Sequence, residues 1–179
     1  MYAINVYSPK GGVGTTTVAS LLALDMSNHH YVGLVSKDTE SLFATLAHPV
    51  TRTPSKISHA LTISDEPIQD CDFLFFDSRA HMPAADLNIL VCNSTYLALR
   101  RCLSQKFDLA VVQMLPSASL QPADIFTVLG GDEHVLINWD PATLRKLDSG
   151  LVRGILKEND QFKQLIAAVD NHIKTEASF

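Results

Sequence analysis

Residues 8–17 read Ser-Pro-Lys-Gly-Gly-Val-Gly-Thr-Thr-Thr and directly follow an apolar run, Tyr2 to Tyr7. This combination has the chemistry to hold phosphate. Gly11, Gly12 and Gly14 permit positive φ and close approach of the backbone to a ligand. Successive N–H groups can then curl into an anion-binding nest, with Val13 carried between them. The segment Thr15 to Ser27 has a helical pattern, so the positive end of its dipole would face the phosphates. The spacing is that of G-x-x-x-x-G-K-[ST] with two replacements. Pro9 takes the first glycine position and Thr15 takes the lysine position, while Gly14 and Thr16 are retained. The Thr16 hydroxyl is placed to ligate Mg²⁺, and Thr17 is placed to contact a phosphate oxygen. What Thr15 removes is a point charge on the β- and γ-phosphates, a charge that stabilises phosphoryl transfer. Weaker binding and slower chemistry are expected. The alternative is a strand-to-helix turn with no ligand. Three glycines, a lysine and three threonines within residues 8–17 argue against it.

Two acidic positions extend the constellation. Asp77 ends the apolar run Phe73-Leu74-Phe75-Phe76, the Walker B arrangement in which a carboxylate holds Mg²⁺ directly or through water. The turn Ser78-Arg79-Ala80 follows; Arg79 reads either as a phosphate or partner contact or as an ordinary surface arginine. After a second apolar run comes Ser36-Lys37-Asp38-Thr39-Glu40. In one reading Asp38 or Glu40 orients water or binds a partner. In the other they are acidic residues favoured at a helix N-terminus.

The elements that must position these residues alternate along the chain. Strands are predicted at Tyr2–Tyr7, Tyr31–Ser36, Phe73–Asp77, Leu87–Cys92, Leu109–Met114 and His134–Ile137. Helices are predicted at Thr15–Ser27, Glu40–Leu46, Ser55–Leu61, Thr95–Ser104, Pro122–Val128, Pro141–Leu147 and Asp160–Lys174. Two of these begin with Pro, which suits a first helical turn, and Asn159-Asp160 can cap the last. Buried strands alternating with helices define an α/β class: a mainly parallel sheet with helices on both faces, three layers in all. Ligands of such sheets bind beyond the carboxyl ends of the strands, where the motifs fall. One domain over residues 1–179 is expected, with His48 to Gln69 as its most polar, irregular and mobile surface segment.

Composition narrows the function. Fourteen Lys and Arg against 19 Asp and Glu give a formal charge of −5, which disfavours non-specific nucleic-acid binding by the whole surface. The clusters Arg100-Arg101-Lys106 and Arg145-Lys146-Arg153 read as solvated helix faces. Cys71, Cys92 and Cys102 form no CxxC pair and read as reduced thiols of a cytoplasmic protein. The seven histidines lack zinc spacing, and His29-His30 suits a helix end. No apolar stretch approaches the roughly 20 residues that span a bilayer.

Taken together, these segments resemble the ParA/MinD superfamily of P-loop ATPases. The family loop K-G-G-V-G-K-T-T aligns with Lys10-Gly11-Gly12-Val13-Gly14-Thr15-Thr16-Thr17. Tyr31–Glu40 looks like its V-L-L-V-D-x-D-x-Q segment, with Ser36 for the first Asp and Asp38 at the second. Asp72–Ala80 looks like D-Y-V-I-I-D-x-P-x, Asp86–Leu103 like the strand leading into an L-x-x-L-R helix, and Trp139 through Leu151 like D-P-x-x-x-x-A-x-x-x-G-x-P. The resemblance implies a P-loop NTPase fold that binds ATP or ADP with Mg²⁺ and forms a homodimer bridged by nucleotide. It implies that Lys10 reaches the partner's phosphates, that Gln113 stands for the adenine-reading Asn, and that Asn138 stands for the Pro flanking adenine. The loop K-G-G-V-G-[TA]-[ST]-T resembles the CpaE/TadZ-like branch, which positions pilus-secretion assemblies. The implied function is a localisation factor with weak or absent ATPase activity, in which Lys10 and Asp38 would carry what catalysis remains. It would be cytoplasmic, with recruitment to a cell pole, membrane or nucleoid through a protein partner. Two alternatives stay open: an active ParA-type ATPase that partitions DNA, and a nucleotide-free interaction scaffold.

Overall fold

The computed structural model describes residues 1–116, 120–131, 133–149 and 151–176. Runs of buried Val, Ile, Leu and Phe too short for helices become the central strands. These are β1 (Tyr2–Tyr7), β2 (Val32–Ser36), β5 (Phe73–Ser78), β6 (Leu87–Asn93), β7 (Leu109–Met114) and β8 (His134–Asn138). Two further strands, β3 (Ser55–Lys56) and β4 (Leu61–Ser64), lie at one edge. The sheet order is β3-β4-β2-β5-β1-β6-β7-β8, parallel throughout except for the antiparallel β3–β4 pair. The helices are α1 (Thr15–Met26), α2 (Thr39–Thr45), α3 (Tyr96–Cys102), α4 (Pro122–Leu129), α5 (Pro141–Asp148), α6 (Val152–Glu158) and α7 (Asp160–Glu176).

Each central strand feeds both faces, because successive side chains point to opposite sides. Leu87, Ile89 and Val91 of β6 join the larger core, packed with residues of α1, α2, α6 and α7. Leu90 and Cys92 of the same strand join a second core with Tyr7, Val112, Leu99, Cys102 and Ile125, under α3 and α4. The result is the three-layer α/β arrangement the pattern predicts. Helix α1 is apolar around most of its girth, with Leu21, Leu22, Ala23 and Leu24 all buried, as befits a helix enclosed by sheet and helices. Pro141 opens α5, and the Asp140 carboxylate accepts from the N–H groups of Ala142 (2.7 Å) and Thr143 (2.8 Å). Asn159 Oδ1 accepts from Gln161 N (3.0 Å) and Phe162 N (3.2 Å) at the start of α7. All three cysteines are free thiols. Among the described residues no helix is long and apolar enough to cross a membrane.

The segment 55–61 corrects the sequence reading. It is not a helix: Ser55–Lys56 pairs with Ile63 and Thr62, and Leu61–Ser64 pairs in parallel with β2. The spacing of Ile57, Ala60 and Leu61 imitates a helical face, but sheet pairing claims the backbone. Within the region 48–69, β3 and β4 thus form a sheet edge, with Leu61 and Ile63 fully buried. Helix α6 was not anticipated; Gly154 lowers its intrinsic preference, and Val152 and Ile155 hold it against the core. Gly150, part of the late segment of the family resemblance, lies outside the described residues.

Phe75 sits fully buried in β5 between β1 and β2. Phe75→Ala is expected to cost about 3–5 kcal/mol, read as a lower urea midpoint with unchanged slope.

Candidate phosphate site

Strand register brings the site together. Val6 of β1 and Ser36 of β2 both lie level with Asp77 of β5, so three carboxyl-terminal strand ends meet at one rim. The chain leaves β1 as the glycine loop and enters α1 at Thr15. Gly12 (φ 74°) and Gly14 (φ 88°) both occupy the left-handed region. At Gly14 a side chain is excluded on a second count, since an added Cβ would stand 2.3 Å from Gln113 Nε2. Val13, 2% exposed, roots the loop in the core.

Helix α1 begins with no side-chain cap and no acidic residue in its first turn. Its leading N–H groups and positive dipole end therefore remain available to an anion. Beside them Thr16 Oγ1 donates to Asp77 Oδ2 (2.8 Å), and Ser36 Oγ donates to the same oxygen (3.2 Å). Burial pushes the Asp77 carboxyl up from its ordinary value, and these two hydroxyls oppose the shift. A hydroxyl and a carboxylate in contact at the foot of an anion-binding loop are a hard-oxygen donor set suited to Mg²⁺. Gly11, Gly12, Gly14, Thr15, Thr16, Ser36, Asp38, Asp77 and Arg79 are among the residues lining a cavity of about 810 Å³. The residues present fit a nucleotide phosphate chain and its metal.

Other residues expected at the site have distinct placements. Asp38 is on the cavity wall, but both its oxygens serve α2: Oδ1 accepts from Ser41 N (3.1 Å) and Oδ2 from Ser41 Oγ (2.7 Å). These bonds hold its carboxyl below the usual range, which makes it a weak proton acceptor. Lys10 is not part of the cavity lining; its ammonium donates to the Gly11 carbonyl (3.2 Å). Thr17 is half-buried on α1. Gln113 is buried beneath Gly14, where its Oε1 accepts from Trp139 Nε1 (2.6 Å). Its Nε2 has no hydrogen-bond partner among the described residues. Asn138 is exposed at the end of β8, and its N–H donates to Gln161 Oε1 (2.6 Å). Neither Gln113 nor Asn138 lines the phosphate cavity.

Sequence reasoning missed Asn5 and Asn88. Both are buried on neighbouring strands, and Asn5 Nδ2 donates to Asn88 Oδ1 (2.9 Å) and to Ala80 O (3.0 Å). Ser78 Oγ donates to Asn5 Oδ1 (2.7 Å), and Asn88 exchanges bonds with both backbone groups of Met82 (2.9 and 3.1 Å). This network fixes the turn after Asp77. Its only sequence signal was an amide inside two otherwise apolar runs.

No family model matches the sequence, and no curated protein matches it. Solved structures do. Apo McdA from Cyanothece superposes with a TM-score of 0.73 at 14% identity, covering 97% of this chain and 99% of that one. The septum site-determining protein MinD from Pyrococcus horikoshii, complexed with Mg-ADP, gives 0.72 at 15% identity over 92% and 93%. A ParA family ATPase from Chlorobium tepidum gives 0.65 at 14% identity over 93% and 96%. The chain has the α/β fold of the MinD and ParA P-loop ATPases.

Asp38→Ala is expected to destabilise the protein by about 1 kcal/mol through loss of the α2 cap. Because the folded-state pKa of Asp38 is depressed, the stabilisation is present above the unfolded value of about 4 and fades as pH falls below it. Denaturant midpoints of the two proteins should differ at neutral pH and converge in acid.

Proposed function

We propose that this protein is an ATP-binding, dimer-forming positioning factor with weak or absent ATPase activity. The observation that carries the reading is the uncapped glycine loop ending at the Thr16–Asp77 contact of 2.8 Å. In this reading amides of Gly11, Gly12, Gly14 and Thr15 bind the phosphates, and Thr16 and Asp77 hold Mg²⁺. The metal, when bound, offsets the charge on the phosphate oxygens. Lys10 lies outside its own cavity, a placement suited to serving the phosphates of a facing subunit. By the family resemblance Gln113 and Asn138 would meet the base, and neither lines the phosphate cavity.

Slow or absent hydrolysis follows from three residues. Thr15 carries no charge for the transition state. Ser36 offers a hydroxyl, already given to Asp77, where the family has a carboxylate. Asp38 is committed to capping α2. Such a site suits a persistent marker whose dimer fraction is set by differential affinity for nucleotide. The McdA and MinD folds support a positioning role. The CpaE/TadZ-like loop, with Thr15, supports placement of a secretion or pilus assembly through a protein partner. A formal charge of −5 favours this over DNA partition.

Titration calorimetry with ATP and ADP, with and without Mg²⁺, tests binding; saturation below about 1 mM is expected. Sedimentation should show that ATP·Mg²⁺ promotes dimerisation and that Lys10→Ala weakens it. Identical sedimentation with and without ATP·Mg²⁺ would count against the dimer switch.

A further inference from the structure

We infer that Arg79 is a phosphate-binding residue, supplying within one subunit the positive charge that Thr15 does not carry. The inference rests on the nucleotide reading of this site and adds to it the residue that recognises the terminal phosphate. Its first support is contact geometry. Arg79 Nη1 lies 2.6 Å from the point a Cβ on Gly11 would occupy, with Cζ and Nη2 at 3.4 Å. The guanidinium therefore lies directly on the phosphate loop, against the face of Gly11.

The second support is the charge balance of the cavity. Asp38 and Asp77 both line it, and both are anions where a polyanion is to bind. Lys37 is turned aside, its ammonium donating to Asp65 O (2.8 Å). Lys10 is outside the lining. Among the described lining residues, Arg79 is the cation whose donors are not committed to a hydrogen bond or ion pair. Its charge acts on both Asp38 and Asp77, in Asp77 against the upward push of burial. A planar, permanently charged fork is suited to phosphate oxygens.

The third support is positioning. Arg79 lies between Ser78 and Ala80, and both neighbours are bonded to buried Asn5. The turn is thus anchored on either side of the arginine. Gly11 lies at the end of the loop away from α1, whereas the amides of Thr15 and Thr16 begin the helix. Arg79 therefore serves the outermost phosphate, and its contribution is to ATP more than to ADP.

The test is calorimetry of ATP·Mg²⁺ and ADP·Mg²⁺ with the full chain in a Lys10→Ala background, which removes the ammonium of a facing subunit. Arg79→Ala is expected to weaken ATP about 10- to 100-fold, the worth of a charge-assisted hydrogen bond. ADP should lose less, Arg79→Lys should recover part of the loss, and the melting temperature should hold because Arg79 is exposed. Unchanged ATP affinity in Arg79→Ala, or equal losses for ATP and ADP, overturns the role of Arg79 while leaving nucleotide binding intact. A parent protein that binds neither nucleotide overturns the underlying reading, and the role of Arg79 falls with it.

Discussion

The contact between Thr16 and Asp77 joins the first turn of α1 to the end of β5, across 61 residues of sequence. Neither residue can meet the other unless β1 and β5 pair in the observed register, with Val6 level with Asp77. That register in turn depends on the alternation that sends Ile4, Val6 and Phe75 into the larger core. A one-residue slip would turn these side chains away from the core and separate hydroxyl from carboxylate. Packing of the sheet and assembly of the site are therefore one constraint. Ser36 extends it to a third strand, since its hydroxyl bonds the same Asp77 oxygen.

The site distributes its positive charge unusually. A helix terminus without a cap, a nest of amides and a surface arginine stand where a single lysine would otherwise act. Amides and dipoles are fixed in direction and need little reorganisation on binding. In the proposed reading it is the uncharged Thr15, lacking a transition-state cation, that suits retention of a nucleotide better than its rapid turnover. The buried pair Asn5 and Asn88 extends this principle into the fold. Amides are placed in the sheet interior, hydrogen-bonded to each other and to the loop, which they hold instead of adding apolar area.

Much of this was legible in the sequence, for identifiable reasons. Buried parallel strands read as unbroken apolar runs, so β1 and β7 were located to the residue. The glycine loop, Thr16 and Asp77 were legible because their chemistry demands particular residue types at fixed positions relative to a strand. The edge at 55–64 was not, because strand β4 has only four residues and its neighbour imitates helical spacing. Helix α6 was hidden by Gly154 and a polar surround. Asp38 was ambiguous between a switch residue and a cap; in the structure its carboxylate caps α2 through Ser41 while lining the cavity. Arg79 was ambiguous for a different reason. Nothing local in Ser78-Arg79-Ala80 states where the side chain lies. Only the tertiary pairing of β5 with β1 brings it over Gly11.

The central claim is that backbone amides of the glycine loop and the first turn of α1 grip a polyphosphate. Backbone amide chemical shifts, followed by NMR as ATP·Mg²⁺ is added, test it most directly. The expected result is saturable displacement of the Gly11, Gly12, Gly14, Thr15 and Thr16 resonances, with those of the distant β3–β4 edge unmoved. Amide resonances of the loop that stay in place at millimolar ATP·Mg²⁺, in a folded protein, would contradict it.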